Sequence, residues 1–178
     1  MPRLVLINGA PGSGRSTMAQ ALAQDREMTL AVDVDTIKHS LGRWDEDPAA
    51  SGLHARRVSL ALAEEHLSAG YDVVLWQYLA RVSFIEDLAA LAERLDARFF
   101  EFVLDIDAPT LANRIALRAS EPDRPEHMVN DRLVGPQDAS RFVESMETLR
   151  QIRPRSVWVD ARRSHSSTLD LLRSALEG

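Results

Sequence analysis

The sequence predicts an α/β fold in which a parallel sheet is covered by helices on both faces. Two observations predict it. Short apolar runs (Leu4-Val5-Leu6-Ile7, Leu30-Ala31-Val32, Val73-Val74-Leu75-Trp76, Phe99 to Leu104 and Val157-Trp158-Val159) alternate with stretches of helical period. Strands that are apolar throughout are buried on both sides, as in sheets sandwiched between helices. The second observation is Gly9-Ala10-Pro11-Gly12-Ser13-Gly14-Arg15-Ser16-Thr17, which stands between the first apolar run and a helical segment. A strand, a glycine-rich turn and a helix form the context in which backbone N–H groups surround a phosphate.

The elements follow in order. The first strand spans Arg3 to Asn8 and the first helix Ser16 to about Gln24. Thr29 to Asp33 is a second short strand, and Thr36 to Leu41 a short helix. Gly42 to Ser51 carries breakers and charges and reads as a loop. A long helix, about Leu53 to Ser68, is closed by Gly70. After the Val73–Trp76 strand, Ser83 to Glu86 fits a capping box, and Phe84, Leu88, Leu91 and Leu95 form one helical stripe. A further helix starts near Pro109, which suits a first turn. Ser120 to Val134 is charged and aperiodic, Pro136 opens a helix to about Gln151, and Ser167 to Asp170 caps a last helix bearing Leu169, Leu172 and Leu176.

Composition narrows the function classes. With 178 residues, 45% of them hydrophobic, the expectation is one domain over 1–178. The net charge of −6 disfavours nucleic acid as a partner. No cysteine is present, which excludes disulfides and thiol catalysis. No apolar run reaches membrane length, and Met1 to Ile7 is too short for a signal core, so a cytoplasmic location is expected. The five histidines lack metal-ligand spacing, and no nucleophile elbow occurs.

Ligands should sit at the carboxyl ends of the strands. There, Gly9, Gly12 and Gly14 permit a turn that aims N–H groups inward, Ser16 stands where a hydroxyl would meet Mg²⁺, and Thr17 is beside it. Asp33 and Asp35, two apart in an extended segment, should point the same way. One of them can orient Mg²⁺ and the other accept a proton from a substrate hydroxyl; alternatively one caps the short helix. Arg114 and Arg118 share a helix face, with Arg124 and Arg132 in the aperiodic stretch beyond. As a group they suit a lid that covers transferred charge, although Glu121, Asp123 and Glu126 would also suit a solvated, salt-bridged face. Trp44, Gln77 and Tyr78 are candidates for the wall of a substrate pocket.

With these pieces assembled, the chain resembles small P-loop kinases of the group that includes shikimate, gluconate and chloramphenicol phosphotransferases and tunicamycin-resistance proteins. The resemblance is carried by Gly9 to Thr17, by Val32 to Ile37 and by Arg114-x-x-x-Arg118. It implies a P-loop NTPase three-layer sandwich, a five-stranded parallel sheet in the order 2-3-1-4-5, an arginine-bearing lid at about 119–134, and ATP with Mg²⁺. It further implies that Asp35 is the catalytic base and Asp33, with Ser16, serves the metal. Arg15, Arg118 and Arg124 would assist transfer, and Gly9 to Thr17 with Arg114 and Arg118 would hold the nucleotide. Two positions depart from the pattern: Arg15 replaces the usual lysine, and the third strand ends Leu75-Trp76-Gln77 without an acidic residue.

The reading is an ATP-dependent kinase acting on a hydroxyl of a small molecule, such as an antibiotic, nucleoside or sugar-like acceptor. The competing readings are a nucleoside or polynucleotide 5′-hydroxyl kinase, which would want a basic groove, and a nucleotide-binding module that lost catalysis with its lysine. A purely structural domain is disfavoured by the intact glycines. The Leu53–Ser68 helix offers a face on which a second copy could form a homodimer.

Overall fold

Among the described residues, β1 (Arg3–Gly9), β2 (Leu30–Asp33), β3 (Val73–Trp76), β4 (Arg98–Asp105) and β5 (Val157–Asp160) pair in parallel in the order β2-β3-β1-β4-β5. This is the sheet order that the resemblance implies. The computed structural model describes residues 1–120 and 134–177. The stretch expected to form a lid, with Arg124 and Arg132, falls mostly on residues 121–133, outside the described residues.

Side-chain alternation along β1 builds two cores at once. Leu4 and Leu6 face a layer made by α3 (Pro48–Ser68), α4 (Ser83–Arg94) and α6 (Ala139–Ile152), through Ala55, Ala63, Leu88, Leu91, Met146 and Leu149. Val5 and Ile7 face α1 (Arg15–Ala23) and α7 (His165–Glu177), through Met18, Ala19, Leu22, Leu172 and Leu176. A third cluster joins Ala10 to Leu111 and Ile115 of α5 (Ala108–Ser120) and to Phe142 of α6, so α5 is packed directly on the glycine-rich loop.

Several boundaries differ from the sequence expectation, each for a local reason. α2 (Val34–His39) starts immediately after β2 because Asp33 caps it, its carboxylate accepting from the Asp35 N–H. The two carboxylates therefore do not share an extended segment; a strand-to-helix corner brings them together. α3 begins at Pro48 rather than Leu53, since Asp47 caps it and proline suits the first helical position. The last four residues of the expected loop, Pro48 to Ser51, are thus helix. The capping box at Ser83 does not form: Val82 occupies the cap without a side-chain bond, and burial of Phe84, Ile85, Leu88 and Leu91 holds α4. α7 starts at His165, with the Ser164 hydroxyl accepting from the Ser167 N–H at 3.3 Å, so Ser167 lies inside the helix.

Two buried carboxylates are matched by arginines away from the loop. Asp72 accepts from Arg3 at 2.8 Å and Arg26 at 2.9 Å, and Glu101 on β4 accepts from Arg153 at 2.7 Å.

Candidate active site

The loop from Gly9 to Gly14 turns with Gly12 at φ +89° and Gly14 at φ +100°. A side chain at Gly12 would also meet Ile115 at 3.0 Å, so neither the backbone nor the packing of α5 allows one. Gly14 is the cap residue of α1 and offers no side chain, and the first turn holds no acidic residue. The leading N–H groups of α1 are thus left for an external acceptor, and the positive end of the helix favours an anion there. At its other end the loop is anchored by Asn8, whose carboxamide accepts from the Gly9 and Leu79 N–H groups at 2.7 and 2.8 Å and donates to the Leu79 carbonyl at 2.9 Å.

A cleft of about 780 Å³ opens over this helix start, lined among others by Gly12, Arg15, Ser16, Asp33, Asp35, His39, Trp76, Arg114 and Arg118. It therefore brings together the loop, both carboxylates and both α5 arginines. Arg15 lines the cleft with them. Burial lowers the pKa of its guanidinium, while Asp35 and then Asp33 act in the opposite direction and Arg118 adds to the lowering. Its Nη1 is buried with no hydrogen-bond partner among the described residues, and arginine keeps its charge in proteins. A buried donor left open costs stability, so a ligand that accepts from it gains what the apoprotein lacks.

The two aspartates are differentiated. Asp33 accepts from the Asp35 N–H and from the Thr36 hydroxyl, each at 3.0 Å. Burial, followed by the neighbouring Asp35 charge, nevertheless raises its pKa. The Asp35 carboxylate has no such bonds among the described residues and lines the cleft.

The remaining sequence candidates have other surroundings. Arg118 lines the cleft within electrostatic reach of Arg15. Arg114 also lines it, yet donates to the Ser13 carbonyl at 3.3 Å and the Ala161 carbonyl at 2.7 Å. Trp44 is held against α2, 4.5 Å from the His39 ring with Lys38 over its face, and does not line the cleft. Gln77 and Tyr78 likewise lie outside its lining: Gln77 accepts from Arg56 at 3.1 Å, and the Tyr78 hydroxyl pairs with Ser145 at 2.8 Å.

Sequence reasoning missed Asn8 and Arg56. A polar residue closing the apolar run of β1 was the available signal for Asn8. Arg56 sits on the face of α3 that buries the small residues Ala55, Ser59 and Ala63. Burial lowers its pKa and the Asp35 charge acts in the opposite direction, so a second guanidinium lies within electrostatic reach of Asp35. Only the pairing across elements, absent from the local pattern, reveals it.

Solved structures of other proteins share this fold. A gluconokinase from Sinorhizobium meliloti 1021 superposes with TM-score 0.63 at 19% identity, over 99% of this chain and 96% of that one. A shikimate kinase from Bacteroides thetaiotaomicron gives TM-score 0.65 at 16% identity, over 99% of both chains. The tunicamycin resistance protein of Deinococcus radiodurans gives 0.63 at 9% identity, over 98% of this chain and 96% of that one. At such identities the likeness is one of fold. No curated protein sequence matches the chain. The family model described as "AAA domain" matches residues 4–139, which include the loop, both aspartates and the α5 arginines. By that match the chain belongs to the AAA domain family, and it carries the P-loop kinase fold.

Proposed function

We propose that the protein is an ATP-dependent kinase that phosphorylates a hydroxyl group of a small molecule. The observation that carries this reading is the meeting in one cleft of an open helix start, a guanidinium whose buried Nη1 has no hydrogen-bond partner among the described residues, and a carboxylate with no hydrogen bond among them. The first two suit the polyphosphate of a nucleotide, and the third suits a hydroxyl nucleophile.

The loop amides and Arg15 hold the β- and γ-phosphates, and Asp35 receives the acceptor's proton as its oxygen attacks the γ-phosphorus. The bond to the β–γ bridging oxygen breaks, and ADP leaves. Arg15 and Arg118 offset the negative charge carried by the transferring group. Ser16 and Asp33, hydroxyl and carboxylate oxygens on one rim, are the hard ligands that suit Mg²⁺; when bound it would neutralise phosphate charge. The Arg56–Gln77 pair lies outside the lining of the cleft, with Arg56 within electrostatic reach of Asp35. A polar acceptor is in keeping with the compounds for which gluconokinase and shikimate kinase are named.

Two measurements test the reading. Thermal melts with ATP and GTP, with and without Mg²⁺, should show stabilisation of roughly 2.7 kcal/mol at about a hundred times the dissociation constant. Transfer of labelled γ-phosphate should then be screened over sugar acids, nucleosides, antibiotics and 5′-hydroxyl oligonucleotides. A protein unmoved by any nucleotide at millimolar concentration would refute the reading, and label appearing only on oligonucleotides would reassign the acceptor.

A further inference from the structure

We propose that His39 holds a second hydroxyl of the acceptor, on the carbon next to the one that is phosphorylated, and that Trp44 positions the His39 ring for it. This deepens the kinase reading above, on which it rests, and makes the acceptor a vicinal diol. Asp35 and His39 stand four residues apart on α2, and both line the cleft. That spacing puts them on one helix face, with Cβ atoms roughly 5–6 Å apart. An acceptor whose reacting oxygen meets Asp35 therefore carries its neighbouring groups into reach of His39.

The other polar side chains that α2 contributes to the cleft are engaged. Asp35 is the proposed base, and the Thr36 hydroxyl donates to the Asp33 carboxylate at 3.0 Å. Neither ring nitrogen of His39 has a hydrogen bond among the described residues. A neutral imidazole offers one nitrogen that donates and one that accepts, and either suits a hydroxyl.

Trp44 holds that ring in place. The loop around it is exposed at Gly42, Arg43 and Asp45 to Ala50, and Trp44 alone within it is half-buried. Arg43 turns the chain at φ +57°, in the left-handed region that residues other than glycine seldom adopt. The next residue is Trp44, whose indole meets the His39 ring with centroids 4.5 Å apart and planes tilted by 49°. Lys38 lies over the indole at 5.1 Å, and the Ser51 hydroxyl donates to the Trp44 carbonyl at 2.9 Å. The indole thus braces the imidazole from outside the cleft. A side chain fixed before its ligand arrives loses less freedom on binding.

Phosphoryl transfer from ATP to ethanol and to ethylene glycol tests this, since the two differ only in the second hydroxyl. The readout is the ratio of kcat/KM for ethylene glycol to that for ethanol, in the parent, His39→Phe, Trp44→Ala and Trp44→Phe. Loss of folded protein or of nucleotide affinity lowers both rates alike and leaves the ratio. The count of hydroxyls is the same for every variant and drops out of the comparison. His39→Phe should lower the ratio about two- to tenfold, the worth of one hydrogen bond. Trp44→Ala should lower it part of the way, and Trp44→Phe should keep the parent's ratio. Adding Trp44→Ala to His39→Phe should lower it no further, as for two residues that act through one contact. Should Trp44→Ala not fold, Trp44→Leu takes its place. A ratio unmoved by His39→Phe or by Trp44→Ala would overturn the proposal. So would a parent that phosphorylates a compound of the screen above but neither alcohol. A parent that transfers phosphate to no compound at all would instead remove the kinase reading itself.

Discussion

Asp33 and Asp35 are joined by a hydrogen bond from the Asp35 N–H to the Asp33 carboxylate, 3.0 Å long. The bond divides the labour between two otherwise similar side chains. Asp33 is spent on closing the start of α2 and is bonded again by Thr36, while the Asp35 carboxylate is left to the cleft.

If Asp35 is the base, Asp35→Asn removes the proton acceptor and leaves the phosphate loop intact. Turnover should fall on the order of 10²- to 10⁴-fold with nucleotide affinity nearly unchanged. Steady-state transfer combined with a nucleotide titration checks this, and an Asp35→Asn protein turning over like the parent would show that the residue has no part in proton transfer.

Asp33 makes the opposite kind of prediction. Its pKa is raised in the folded protein above the ordinary 3.8, first by burial and then by the Asp35 charge. Between the unfolded and folded values the folded state binds more protons, so stability declines as pH rises through that window, and the penalty is complete above it. Asparagine caps helices as well as aspartate does. Asp33→Asn should therefore melt higher than the parent at pH 7, with the difference vanishing below the ordinary carboxylate range. Its transfer rate should meanwhile need more Mg²⁺. Melts at the two pH values and a Mg²⁺ titration decide it; a variant that melts lower at pH 7 would mean that the charge itself stabilises the cap.

Most of the fold was legible because its signals are local. Five apolar runs gave five strands, and the glycine spacing placed the loop between β1 and α1. What escaped was non-local. Ser83-Phe84-Ile85-Glu86 satisfies a capping pattern, yet packing of Phe84 and Ile85 sets the start of α4 without it. The start of α3 is the exception, since Asp47 followed by Pro48 is a local helix-start signal inside the stretch expected as a loop. In the site, the loop and Asp33–Asp35 were visible as motifs. The partners of Arg114 and the approach of Arg56 to Asp35 were not, since each joins segments that only the folded chain brings together.

Glu101 gives a test of the scaffold apart from the cleft. Its side chain is 6% exposed and pairs with Arg153 at 2.7 Å. Arg153→Met leaves a buried carboxylate uncompensated and should cost about 3–5 kcal/mol, whereas Glu101→Leu combined with Arg153→Met should come out near the parent. Urea denaturation of the parent, the single and the double variant measures it. Additive losses in the double variant would mean that the two residues do not act as a pair.

The central claim is that Arg15 is a working substitute for lysine in a phosphoryl-transfer site. Its buried Nη1, without a partner among the described residues, supports this, and a guanidinium can give phosphate two parallel charge-assisted bonds. The most direct measurement is ATP turnover by the parent, Arg15→Lys and Arg15→Ala side by side, with and without acceptor. The account predicts an active parent, measurable activity in Arg15→Lys, and a loss in Arg15→Ala of roughly 1.5–3 kcal/mol in transition-state terms, the worth of one charge-assisted contact. A silent parent beside an active Arg15→Lys variant would contradict it, and would make the natural protein a nucleotide-binding module that has lost catalysis.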